Sequence, residues 1–349
     1  MSTTRKPIKK STLMLMISIM TVTLVFLVAI LIVTVSYFLN KKSEPTGLVL
    51  STGESVYSEE ELNQMLRDCE EKAAEEVRSF IRTAMQEGRS TVSVLRELFP
   101  ELTVYAAGGR YHFHETNQNL ALNPYINEKF QVDESGIVEY NDGIVTSKKG
   151  IDVSSYQGKI DWKKVKNDGV EYALIRVGYR GYGKAGKLVT DERFEENMKG
   201  ATSNGVDVGV YFFSQATSEK EAVEEANYVL DEIEGYDLSY PVIIDIENLN
   251  RSDARTAGMT KEQWTKNAIA FCETVKAAGY TPMIYGNLES FLNMLDIEQI
   301  EAYDKWFAQY DTSVYFPYDF EIWQYSESGY VDGISEKVDL NVGFYEPAN

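Results

Sequence analysis

The stretch that most constrains this chain is Pro241-Val242-Ile243-Ile244-Asp245-Ile246-Glu247-Asn248. It opens as an unbroken apolar run rich in β-branched residues, the pattern of a strand covered on both faces. Two carboxylates then appear with one Ile between them. Side chains alternate along a strand, so Asp245 and Glu247 share a side, with Cα atoms about 6.5 to 7 Å apart. Partly desolvated and close together, each raises the other's pKa. Such acids could cap a following helix or pair with an Arg. Neighbouring acids whose environments push their pKa values apart are also how acid–base chemistry runs near neutral pH.

The surrounding pattern predicts the fold class. From Lys148 onward, strand-like runs alternate with helical ones: 150–153, 172–178, 206–213, 240–247, 280–286, 305–310, 320–325 and 337–341 read as strands. Helical patterns at 162–167, 191–204, 218–234 and 261–278 separate the first five, and later connections are shorter. This α/β alternation predicts a parallel β/α barrel of the TIM type, irregular toward its end. In such a barrel the site lies at the strand C-termini. Polar and aromatic residues collect at all eight: Asp152; Arg176 and Tyr179; Tyr211, Ser214 and Gln215; Asp245 and Glu247; Tyr285 and Asn287; Gln309 and Tyr310; Trp323, Gln324 and Tyr325; Asp339 and Asn341. Singly, each could be a helix cap or a core hydrogen bond. Together they describe a carbohydrate cleft, in which aromatic faces stack on sugar rings while amides and acids bind hydroxyls.

Four motifs carry a family resemblance. Gly150-Ile151-Asp152-Val153-Ser154-Ser155-Tyr156-Gln157-Gly158, followed by Asp161-Trp162, resembles the opening of glycoside hydrolase family 25 lysozymes. Pro241 to Glu247 is similar to that family's acid pair. Trp323-Gln324-Tyr325-Ser326 and Val338-Asp339-Leu340-Asn341 resemble its closing strands. The likeness covers residues 148 to 345. It implies an N-acetylmuramidase that cuts the β-1,4 bond between N-acetylmuramic acid and N-acetylglucosamine in peptidoglycan, without a cofactor. By the same resemblance Glu247 would be the general acid, Asp245 would assist the substrate's acetamido group or water, and Asp152 and Asp339 would complete the acidic cluster. Tyr179, Tyr211, Tyr285, Gln309, Trp323, Gln324, Tyr325 and Asn341 would bind substrate. A chitinase-like or glucosaminidase barrel hydrolase is the alternative enzyme. Chitinase-like enzymes carry a further Asp two residues before the pair, where this chain has Ile243. A non-catalytic peptidoglycan-binding scaffold is the alternative outside enzymology.

The N-terminal 147 residues read differently. Arg5, Lys6, Lys9 and Lys10 precede residues 11–40, which carry no charge. A run of that length spans a bilayer. The leading cations predict a signal anchor with the tail 1–10 inside and the bulk of the chain outside; the rival is a cleaved signal peptide. Residues 43–349 hold 28 basic and 54 acidic residues, a formal charge of −26, which argues against nucleic acid as a partner.

Residues 41–147 read as a linker, a stalk helix and a small α+β linker domain. The stalk opens on the capping box Ser58-Glu59-Glu60-Glu61 and runs about eight turns toward Gly88. It could pack on its own domain or pair with a second copy. Gly108-Gly109 is predicted to turn a hairpin between 102–106 and 110–114. His112 and His114 share a strand face, but no third ligand stands near them in sequence, so no metal is expected. Cys69 and Cys272 suggest no disulfide framework.

Overall fold

The computed structural model of the chain describes residues 57–345. The expected membrane span at 11–40 lies outside these residues. Among the described residues, no helix is long and apolar enough to cross a membrane.

The helix Glu59–Gln86 begins at the expected capping box: the Glu61 amide donates to Ser58 Oγ, and the Ser58 amide donates to Glu61 Oε2 at 2.8 Å. Most of it belongs to a unit that ends at Ser79, and the chain from Phe80 onward forms a second compact unit. Leu62, Met65, Leu66 and Val77 on this helix are exposed in the single chain.

Within the second unit a short helix, Thr91–Leu98, leads to strands β1 (Leu102–Ala107) and β2 (Arg110–Glu115). These pair antiparallel through a two-residue turn at Gly108 and Gly109. Both glycines hold positive φ, 56° and 73°, which the mirror-image turn requires and which a residue with a Cβ resists. Strands β3 (Phe130–Val132) and β4 (Val138–Tyr140) form a second small antiparallel pair. Tyr125 stacks on Phe344 at 3.8 Å, and Phe130 meets Trp323 edge-on, so this segment shares the barrel's outer core.

The eight expected barrel strands all form: β5 (Lys148–Val153), β6 (Tyr172–Arg180), β8 (Asp207–Phe213), β9 (Val242–Asp245), β10 (Pro282–Asn287), β11 (Asp304–Ala308), β12 (Ile322–Gly329) and β13 (Val338–Gly343). An additional short strand, β7 (Leu188–Thr190), folds back on β6. The order β5-β13-β12-β11-β10-β9-β8-β6 closes through the β5–β6 pair. Helices 162–167, 194–203, 219–232 and 261–277 cover its outside. The parallel expectation needs one correction: β13 runs antiparallel to both neighbours. Only residues 330–337 separate β12 from β13. That is shorter than the dozen or so residues a parallel crossover needs, so the chain can only turn back. Strand β9 also ends at Asp245 rather than Glu247.

Period-2 alternation sorts each strand into two cores. Val242, Ile244 and Ile246 pack outward under the helices, while Ile243 joins Tyr172, Leu174, Met283, Tyr285, Trp306 and Ile322 inside the barrel. Gly150 makes this filling possible. A Cβ there would lie 2.0 Å from Tyr172 Cζ, so only glycine lets that ring close the barrel floor.

Candidate functional site

The inward positions that follow the apolar floor are polar. Asp245 comes next after Ile243 on β9, and Glu247 continues the same line just beyond the strand. On β5 the inward residue is Asp152. On β13, Asp339 and Asn341 point inward, and because β13 is reversed, its beginning lies at the barrel end where the other strands finish. Asp339 is directly opposite Asp152 in the register. The acid cluster at the strand C-termini is therefore completed by a strand N-terminus.

Asp152 is held rigidly. Its Oδ2 accepts from Gln324 Nε2 and from Asn341 Nδ2, each at 2.8 Å. Both amides are themselves oriented. Tyr285 Oη donates to Gln324 Oε1 at 2.8 Å, and Trp306 Nε1 donates to Asn341 Oδ1 at 2.8 Å. With each amide oxygen occupied by a donor, only the amide nitrogens can face the carboxylate. Burial pushes the Asp152 pKa up to about 6, against the opposing pull of those amides.

Asp339 goes further, to about 9, because it is buried beside the Asp152 charge and hydrogen-bonds to it. It is a neutral acid at neutral pH. Asp245 is also pushed well above the carboxylate range by burial, by the Glu247 charge and by a hydrogen bond to Glu247; Arg176 opposes this. Burial raises Glu247 as well, with Asp152 adding to it, while the hydrogen bond from Asp245 pulls the other way. Asp245 is 4% exposed, and its Oδ1 finds no donor in the protein. The bond between the two raises Asp245 and lowers Glu247, so Asp245 is the one that holds the proton and Glu247 the one that accepts it. Glu247 is the member that reaches the open side, being only partly buried.

One cation stands among these acids. Arg176, inward on β6, donates through Nε to Asp191 Oδ2 at 2.8 Å and through a terminal nitrogen to Ser155 Oγ at 3.2 Å. Tyr156 and Tyr179 flank its guanidinium at 5.0 and 5.8 Å. Tyr211 lies inside the barrel near Asp152, Asp245 and Asp339, and packs edge-on to Trp306.

Not every expected binding residue reaches the site. Of three consecutive residues on β12, only Gln324 points inward; Trp323 and Tyr325 are buried in the outer core. Strand alternation forbids all three from sharing a face. The Gln309 amide is engaged in its own loop, donating to the Ser313 carbonyl and accepting from the Tyr315 amide. Tyr310 does reach in, with its hydroxyl 3.3 Å from Gln324 Oε1. Sequence reasoning missed Trp306 and Asp191. The first was legible as the inward residue of Lys305-Trp306-Phe307-Ala308. The second, in a loop, gave no signal.

The histidines are engaged with partners of their own, outside the acid cluster. His112 and His114 stack against Tyr105, and Asn293 bridges them, donating to His112 Nδ1 at 3.2 Å and accepting from His114 Nε2 at 3.0 Å. Among the described residues no group of three metal-ligating side chains is assembled.

Residues 151–334 match the sequence profile of Glycosyl hydrolases family 25. The chain is 28% identical over 194 residues to the autolytic lysozyme of Clostridium acetobutylicum, a match covering 55% of each protein. It is 28% identical over 204 residues to Lysozyme M1 of Streptomyces globisporus, covering 55% of this chain and 66% of the other. The chain thus spans little more than half the length of the first of these relatives. Among solved structures, the modular autolysin LytC from Streptococcus pneumoniae, determined in complex with a synthetic peptidoglycan ligand, superposes with a TM-score of 0.52 at 26% identity. That match covers 69% of this chain and 56% of the other.

Proposed function

The chain belongs to glycosyl hydrolase family 25, and from that membership we propose that its barrel hydrolyses peptidoglycan at the β-1,4 bond between N-acetylmuramic acid and N-acetylglucosamine. The observation that carries this reading is the acid cluster itself: Asp245, buried, with Glu247 next on its line, beside an Asp152 fixed by two amides and an Asp339 directly opposite it.

Glu247, on the open side, passes the pair's proton to the leaving oxygen as the C1–O bond breaks, which leaves Asp245 ionised. Asp152 is restrained by two amides and Asp339 carries a proton, so neither is a ready nucleophile. The substrate's own acetamido oxygen fills that role, attacking C1 while Asp245, through its unpartnered Oδ1, takes the acetamide N–H. Water then attacks C1 and breaks the bond to the acetamide oxygen; Asp245 returns the proton to the acetamide nitrogen, and Glu247 takes a proton from the water. Tyr211, Tyr285 and Arg176 frame the sugar that undergoes cleavage. The reaction needs no metal in this scheme.

Location is the second part of the proposal. The uncharged run 11–40 behind four cations supports a single-pass anchor with the hydrolase outside the cell membrane, and the exposed apolar residues of helix Glu59–Gln86 support pairing with a second copy. Mass spectrometry of peptidoglycan digested with the chain tests the reaction. New reducing ends on muramic acid support it, ends on glucosamine indicate a glucosaminidase, and intact glycan indicates a scaffold.

A further inference from the structure

Three exposed tyrosines at the barrel mouth carry a cation on the ring: Tyr156 under Arg176, Tyr182 under Arg251 and Tyr330 under Lys337. Two of these charges are already answered. Arg176 is paired with the buried Asp191, and Arg251 binds both oxygens of Asp253. Lys337 is different. Its Nζ lies 3.3 Å from the centroid of Tyr330 and donates only to the Ser328 carbonyl, at 3.0 Å. No carboxylate pairs with it among the described residues, in a chain of net charge −20.

Its position gives that charge a use. Asp339, Asn341 and Gly343 form the inward line of β13, and Lys337 immediately precedes that strand, two residues before Asp339, at the barrel end that carries the acids. The turn that carries it is firmly seated. The Lys337 carbonyl accepts from Gln157 Nε2, the Gly333 carbonyl accepts from the Asp161 amide, and Val331 and Ile334 are buried in the outer core. Tyr330 nevertheless stays 71% exposed. A seated turn that holds an exposed aromatic ring against an ammonium with no carboxylate partner among the described residues, two residues from Asp339, suits something both flat and anionic.

We propose that Tyr330 and Lys337 form a subsite for the carboxylate-bearing arm of a muramic acid residue, with the sugar or its arm lying on the Tyr330 ring and the lactyl or peptide carboxylate on Lys337 Nζ. This rests on the peptidoglycan reading above and deepens it. Chitin-type glycans have no carboxylate at that place, so the pair distinguishes the two polymers.

The test is equilibrium binding of the full chain to the disaccharide N-acetylglucosaminyl-N-acetylmuramic acid with its lactyl carboxylate free, and to the same disaccharide as the methyl ester. Wild type should prefer the free acid by about fivefold, the size of an exposed charge pair, and lose the preference in high salt. Lys337→Gln should bind both forms alike, Lys337→Arg should restore the preference, and Tyr330→Ala should weaken both. Melting temperatures of the variants check that each is folded. Equal binding of acid and ester by wild type, or an intact preference in Lys337→Gln, overturns the proposal. Hydrolysis of whole peptidoglycan is scored separately. A chain that cuts nothing yet shows the Lys337-dependent preference would sink the hydrolase reading and leave the subsite standing.

Discussion

Asp339 faces Asp152 directly across the antiparallel β13–β5 pair. Two carboxyls at that spacing in a buried place cannot both ionise at neutral pH. The structure resolves the conflict by giving Asp152 two amide donors and leaving Asp339 to hold the proton.

That division predicts how stability depends on pH. Asp339 titrates near 9 when folded and near 4 when unfolded. Between those values the folded chain holds a proton that the unfolded chain has lost, so this group's contribution to stability falls as pH rises from about 4 toward 9. Melting temperature should decline from pH 5 to pH 8, and Asp339→Asn should flatten the decline and melt higher at pH 8. A variant with the same slope as wild type would place the proton elsewhere.

The jobs of Asp245 and Glu247 separate on two substrates. Glu247→Gln cannot deliver a proton, so cleavage of peptidoglycan should fall by about 10² to 10⁴-fold. The loss should shrink on a nitrophenyl glycoside, whose leaving group needs little protonation. Asp245→Asn should be impaired on both, since it acts on the acetamido group whatever departs. The reverse pattern would move the general acid to Asp245.

Trp306 is a positioning residue two steps from the sugar. Trp306→Phe removes the 2.8 Å bond that orients the Asn341 amide. With that donor free to turn, Asp152 loses part of what holds its pKa down to about 6. The acid limb of the kcat/KM profile should therefore move to higher pH, by a few tenths of a unit up to about one. An unmoved limb with a lower plateau would mean a packing role only.

Outside the barrel, Arg180 and Glu225 form a buried ion pair at 2.7 Å, and Ser214 Oγ also donates to Glu225. Arg180→Met strands a buried carboxyl and should cost about 3 to 5 kcal/mol in chemical denaturation. Adding Glu225→Leu should recover much of that loss. A double variant as unstable as the single would show that the arginine's carbonyl contacts, to Gly186 and Glu221, matter more than the pair.

The sequence by itself determined the local periods, and these held. The run before Asp245 reads as a strand covered on both faces, alternation of β and α reads as a barrel, and Gly108-Gly109 reads as a hairpin, because each is decided by residues within a few positions of one another. The same period, applied strictly, would have excluded Trp323 and Tyr325 from the cleft beside Gln324; the expectation that all three bind substrate ignored it, and the structure places both in the outer core. What only the tertiary structure decided depends on partners far apart in the chain. The reversal of β13 follows from an eight-residue connection, yet that it brings Asp339 opposite Asp152 requires the barrel to close. The pinning of Gln324 by Tyr285 and of Asn341 by Trp306, and the pairing of Arg176 with Asp191, join different strands and loops. Which carboxyl is charged is a property of that enclosure: burial and neighbouring charge set it, and neither exists until the strands have met.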